Sequence, residues 1–82
     1  MINIIIYSTP TCVYCKMAKQ YFENNDLKYT EHNVAEDDSA REEMLQKSQQ
    51  MGVPVIDING KVLIGFNQVE IEQAIIDANQ SE

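Results

Sequence analysis

Basic residues are scarce in this 82-residue chain. Six Lys and Arg stand against thirteen Asp and Glu, for a net charge of −7. A surface of that sign repels phosphate backbones, which argues against nucleic-acid binding and equally against docking on anionic membranes. Cysteine and histidine are scarcer still, with two and one. A closed structural zinc site wants four Cys or His ligands. Cys12, Cys15 and His32 fall short of that number, so a Cys-based metal-binding or metal-delivery protein would have to complete its site across a dimer. Three glycines and two prolines leave no room for a flexible linker, and there is no repeat or low-complexity run. No apolar stretch approaches the roughly 20 residues of a membrane span. Residues 2–7 lack the basic lead and the length of a secretory signal. A cytoplasmic chain is therefore expected, in which thiols stay reduced unless they are used. Its length suits one domain, residues 1–82, and 44% apolar residues suit a packed but thin core.

Hydrophobic spacing predicts the elements. Residues 2–7 are β-branched and almost wholly apolar, as in a strand buried on both faces at the centre of a sheet. A helix is expected from Cys12 or Val13 to Asn24, with Cys15, Ala18 and Phe22 on one face and Tyr21 beside them. Residues 27–34 alternate weakly, as in a second strand. Ser39 and Glu42 form an S-x-x-E capping box. It predicts a helix that buries Met44, Leu45 and Met51 and stops at Gly52. Residues 54–58 and 61–64 flank Asn59-Gly60, a strong signal for a type I′ hairpin. Asn67 to Glu70 resembles a second capping box, ahead of a helix burying Ile71, Ala74, Ile75 and Ala78. The order β-α-β-α-β-β-α closes most simply as a four-stranded mixed sheet with helices on both faces, its first two strands parallel.

Both cysteines lie in residues 7–16, YSTPTCVYCK. A C-x-x-C pair beside a β-α unit is the pattern expected of a redox dithiol. Cys12 falls near the first turn of a helix, where free N–H groups and the positive dipole end favour a thiolate. Cys15 lies one turn further in, on the same side, and is expected to be more buried. Cys12 should then attack a substrate disulfide and Cys15 should resolve the mixed disulfide. Local charge agrees. Residues 8–22 contain no acid but include Lys16 and Lys19, and the whole imbalance of −7 falls in residues 35–82. Thr9 or Thr11 is expected to cap the helix. His32 reads as an ordinary edge residue.

The stretch from Tyr7 to Cys15, the run Gly52-Val53-Pro54-Val55 and the pair Gly65-Phe66, at these separations, resemble glutaredoxin-like proteins of the thioredoxin fold. The resemblance covers nearly the whole chain. It implies an α/β thioredoxin-like (glutaredoxin) fold, a nucleophilic Cys12, a resolving Cys15 and a cis bond before Pro54. Such a bond would turn the Val53 backbone towards Cys12, where it could pair with an extended substrate as an added strand. Tyr14 on one side, and Gly65, Phe66 and Asn67 on the other, would wall the groove. Each of three also has a plainer role: Tyr14 as an exposed aromatic, Phe66 as core packing, Asn67 as a helix cap. Disulfide-containing proteins are the implied substrates, and a monomer is expected. The dithiol itself is the redox group, so no cofactor is required, and glutathione is implied as reductant or ligand.

Several positions depart from the family pattern. Val13 replaces the usual Pro, and Thr9 stands where a Lys usually meets a glutathione carboxylate. Asn67 and Gln68 are neutral where acids usually meet the glutathione ammonium. Two charge-assisted contacts, the stronger kind of hydrogen bond, are thus missing. The pattern is closer to bacterial glutaredoxin-like redoxins. Some of these take electrons from thioredoxin reductase and pass them to an enzyme such as ribonucleotide reductase or a peroxidase. The Arg-Pro that commonly follows Gly-Phe in the ribonucleotide reductase partners is absent. A non-catalytic binding module that kept the fold is a further alternative.

Overall fold

The computed structural model describes residues 2–80. Three consecutive isoleucines and Tyr7 make up most of β1 (Ile4–Ser8). Its side chains alternate between two cores. Ile4 and Ile6 join one and Tyr7 the other. β1 is central, pairing in parallel with β2 (Thr30–Asn33) and antiparallel with β3 (Val55–Ile58). β4 (Lys61–Ile64) pairs antiparallel with β3, giving the order β2-β1-β3-β4. β2 is shorter than its sequence pattern suggests. The backbone turns sharply at Asp26, with φ of 55°, and Leu27 N–H donates to Phe22 O at 2.8 Å. Leu27 and Tyr29 still pack on the core without belonging to the ladder.

α1 (Val13–Asn24) and α3 (Gln68–Gln80) cover one face of the sheet. Ala18, Phe22, Ile71, Ala74 and Ala78 pack there on Ile4, Ile6, Ile56, Ile58 and Leu63. α2 (Asp38–Ser48) covers the other, placing Ala40 and Met44 against Tyr7, Val34 and Val55. The hairpin turn has positive φ at both Asn59 (51°) and Gly60 (94°), as a type I′ turn requires.

α2 corrects four expectations. Its cap is Asp37, two residues before Ser39: the Ala40 N–H donates to Asp37 Oδ1 at 3.1 Å. Aspartate caps as well as serine, so the earlier acid takes the position. Leu45 lies one step off the Ala40–Met44 stripe and is exposed. The helix ends at Ser48 and is closed by Gln49, left-handed with φ of 59°, rather than running on to Gly52. Met51 therefore lies beyond the helix and is exposed. Asp37→Ala is expected to lower stability by about 1 kcal/mol. It should appear as a reduced urea midpoint at unchanged m-value, with no effect on the thiols.

Candidate active site

β1 ends at Ser8, and the chain returns through Thr9, Pro10 and Thr11 to the start of α1. The Cys12 N–H donates to Thr9 O at 3.3 Å, which closes this loop. Cys12 is extended, with φ of −82° and ψ of 114°, and is itself the N-cap of α1. Its Sγ accepts the Cys15 N–H at 3.1 Å. The expected threonine cap is thus replaced by the thiol. A sulfur acceptor fits because Cys12 occupies the geometric position a Ser or Asp would take. Oxygen-based capping rules pass over it.

The two cysteines are unbridged and sit in contrasting environments. Cys12 is half-buried and Cys15 is fully buried. Burial pushes the Cys15 thiol up to about 12; a hydrogen bond with Cys12 adds to this and one with the Thr9 backbone opposes it. Cys15 is therefore held as the neutral thiol, while Cys12 faces the N-terminal amides of the helix. Of the two nearby lysines, Lys19 is committed to Glu31 at 2.8 Å, and the same carboxylate oxygen accepts the Ser8 hydroxyl at 2.7 Å. Lys16 forms no ion pair among the described residues, so it is the free positive charge of this helix.

The other candidate residues fall into two groups. The Val53–Pro54 peptide bond is cis, Pro54 is buried and Val53 packs on the α2-side core. The Gly65 N–H donates to Pro54 O at 2.8 Å, so these two segments are tied together. Gly65 has φ of 80°, a conformation that suits glycine. Tyr14 projects from the first turn of α1 and is 60% exposed. Phe66 is half-buried, with its ring edge-on to Tyr21 at 6.3 Å. It thus packs on the core and also walls a groove. Asn67 caps α3, its Oδ1 accepting the Glu70 N–H at 3.2 Å. His32 stacks on Tyr7 at 5.5 Å. Among the described residues no three His, Cys, Asp or Glu side chains gather as metal ligands, and no helix is long and apolar enough to cross a membrane.

Sequence reasoning missed the outer face of α1. Val13, Met17 and Tyr21, spaced by four, join Phe66 and Gln68 around an open groove of about 510 Å³ beside the dithiol. The sequence pattern sets Tyr21 beside the buried stripe of Cys15, Ala18 and Phe22, but it does not single out Met17 and Val13 one and two turns before it.

A family profile described as glutaredoxin matches residues 4–63. The chain is 49% identical over 72 residues to an uncharacterized glutaredoxin-like 8.6 kDa protein of the rubredoxin operon of Clostridium pasteurianum, covering 88% of this chain and 96% of that one. It is 32% identical over 69 residues to glutaredoxin 3 of Escherichia coli K12, covering 84% and 83%. The solved glutaredoxin-like NrdH-redoxin of Escherichia coli, described as having a thioredoxin-like activity profile, superimposes with a TM-score of 0.76. It is 27% identical, and the match covers 87% of this chain and 92% of that one.

Proposed function

The chain belongs to the glutaredoxin family, and from that premise we propose a thiol–disulfide oxidoreductase in which Cys12 attacks and Cys15 resolves. The Cys12 thiolate attacks one sulfur of a substrate disulfide. That S–S bond breaks, and the second substrate sulfur leaves as a thiolate. Cys15 then gives up its proton and attacks Cys12 Sγ. The mixed disulfide breaks, the first substrate sulfur leaves, and a Cys12–Cys15 disulfide remains. Two electrons have passed to the substrate, and an external reductant restores the dithiol. The observation that carries this assignment is the contrast within the pair. Cys12 Sγ takes a helix-terminal N–H at 3.1 Å, while Cys15 is buried and held protonated. A neutral resolving thiol cannot compete for the first attack, because the thiolate is the nucleophile.

The substrate backbone pairs with Val53, in the segment that Pro54 and Gly65 hold in place, and Tyr14 flanks it. Disulfide-containing proteins are the substrates. Thioredoxin reductase is the reductant rather than glutathione: Thr9, Asn67 and Gln68 offer no charge to the tripeptide's ends, and the NrdH-redoxin relative has a thioredoxin-like profile. The working compartment is the cytoplasm, where such a dithiol is kept reduced.

Cys15→Ser should accumulate a stable mixed disulfide at Cys12, visible by mass spectrometry, and Cys12→Ser should accumulate none. Equal trapping by both variants would reverse or remove the assigned roles. With NADPH, thioredoxin reductase should support turnover and glutathione with glutathione reductase should not. The opposite result makes glutathione the partner.

A further inference from the structure

We propose that the groove along the outer face of α1 seats an extended segment of the substrate protein that carries an apolar side chain and a carboxylate close to its reactive cysteine. This rests on the dithiol function above and adds what that function selects. The groove begins at Val13, the residue after Cys12, and runs along Met17 and Tyr21, with Phe66 and Gln68 as its other wall. Val13 is 66% exposed and Met17 45% exposed, so apolar surface next to the nucleophile is left in water. Covering it is favourable.

Charge decides the character of the occupant. No acid lines this groove, although the chain carries thirteen. Three other surface depressions each include a carboxylate: Glu31, Glu36, Asp37 and Asp38 in one, Asp77 in another, Glu72 in the third. Lys16 is the one cation on the groove wall. The overall charge of −7 opposes an acidic partner at long range, but a Debye length of about 8 Å at physiological salt screens remote acids. The local ammonium then sets the preference. The acid-free stretch ends at Tyr21, whose hydroxyl is raised in pKa by burial and by Glu72 beyond it. A partner carboxylate is therefore best placed near Lys16, at the Cys12 end.

The test uses the reduced full chain and short peptides bearing one cysteine capped as a mixed disulfide with 2-mercaptoethanol. One peptide carries Leu and Glu beside the cysteine, a second Leu and Lys, a third Ser and Glu. Single-turnover exchange at 0.15 M salt is followed by quench and mass spectrometry. The Leu-Glu peptide should react about fivefold faster than the Leu-Lys peptide, and Lys16→Glu should invert that order. It should also outrun the Ser-Glu peptide, by a margin that shrinks in Met17→Ser. Equal rates for acidic and basic peptides, or a preference that survives Lys16→Glu, overturn the proposal. So does a Lys16-dependent preference for glutathione disulfide over all three peptides, which gives the groove to the tripeptide. Reduction of bis(2-hydroxyethyl) disulfide by the unmodified chain tests the underlying chemistry separately. If that neutral compound is reduced and the peptides show no discrimination, only the groove fails. If neither is reduced, the dithiol function falls and the groove with it.

Discussion

Cys12→Ser is expected to lower disulfide reduction by about a thousandfold or more and to leave stability within about 0.5 kcal/mol of the parent. The two halves of that result come from different roles of one atom. Cys12 Sγ is the attacking group and also the acceptor that caps α1, taking the Cys15 N–H at 3.1 Å. Serine removes the nucleophile but is among the best N-cap residues, and its hydroxyl can take the same amide. A denaturation curve and a rate with any small disulfide are enough to check it. Cys12→Ala separates the roles further. It should be as inactive as the serine variant and less stable than it by about 1 kcal/mol, through loss of the cap. Residual turnover in Cys12→Ser near parental levels would mean that Cys15 can attack on its own, contrary to its burial.

The second large effect lies on the opposite face of the sheet. Lys47→Met is expected to cost about 2–3 kcal/mol, or roughly 10–20 °C in Tm for a domain of this size. Lys47 Nζ reaches Asp57 Oδ2 at 2.8 Å and the Tyr7 hydroxyl at 2.9 Å, and Tyr7 also bonds Glu43. The Asp57 side chain is only 11% exposed, so without Lys47 its charge is stranded beside the core. Lys47 is 29% exposed, which keeps the cost below that of breaking a fully buried pair. Asp57→Asn in the same chain should recover most of the loss. Asparagine keeps an acceptor for the Gly60 N–H, which Asp57 Oδ1 takes at 2.7 Å, and it carries no charge. The pH dependence has a definite sign. Burial lowers the Lys47 pKa, but bonds to Asp57 and Tyr7 outweigh it and leave the pKa raised. The stabilisation is full below the ordinary lysine value of 10.5 and is lost as pH rises through the folded pKa. The parent should lose stability on the alkaline side more steeply than Lys47→Met/Asp57→Asn. Identical alkaline limbs would dismiss the pair as a contributor.

That network was invisible in the sequence, for a physical reason. Tyr7, Glu43, Lys47 and Asp57 come from β1, α2 and β3, and nothing in their local spacing announces that they meet. What was legible had a short-range cause. Asn59-Gly60 dictates its own turn, the three- and four-residue spacing of Ile71, Ala74 and Ala78 dictates the buried face of α3, and a C-x-x-C pair at a helix start dictates a contrast between two thiols. The misreadings arose where two local signals competed. Asp37 and Ser39 are both good caps, and register with Ala40 and Met44 favoured the former. Leu45 and Met51 are apolar, but apolar character alone does not place a residue on the inward stripe. Val13 and Met17 were overlooked for the converse reason. Their exposure is set by the absence of a covering element, which only the folded chain reveals.

The thiol cap on α1 makes one amide proton a recorder of electron traffic. In the dithiol, the Cys15 N–H is held by Cys12 Sγ. Once that sulfur is bonded to a partner sulfur it is a weaker and differently directed acceptor, so the hold on the amide slackens. Exchange of that single proton with deuterated solvent should therefore run faster in the oxidised chain. The isotope content at Cys15 would then report the oxidation state of the pair without any dye or added thiol.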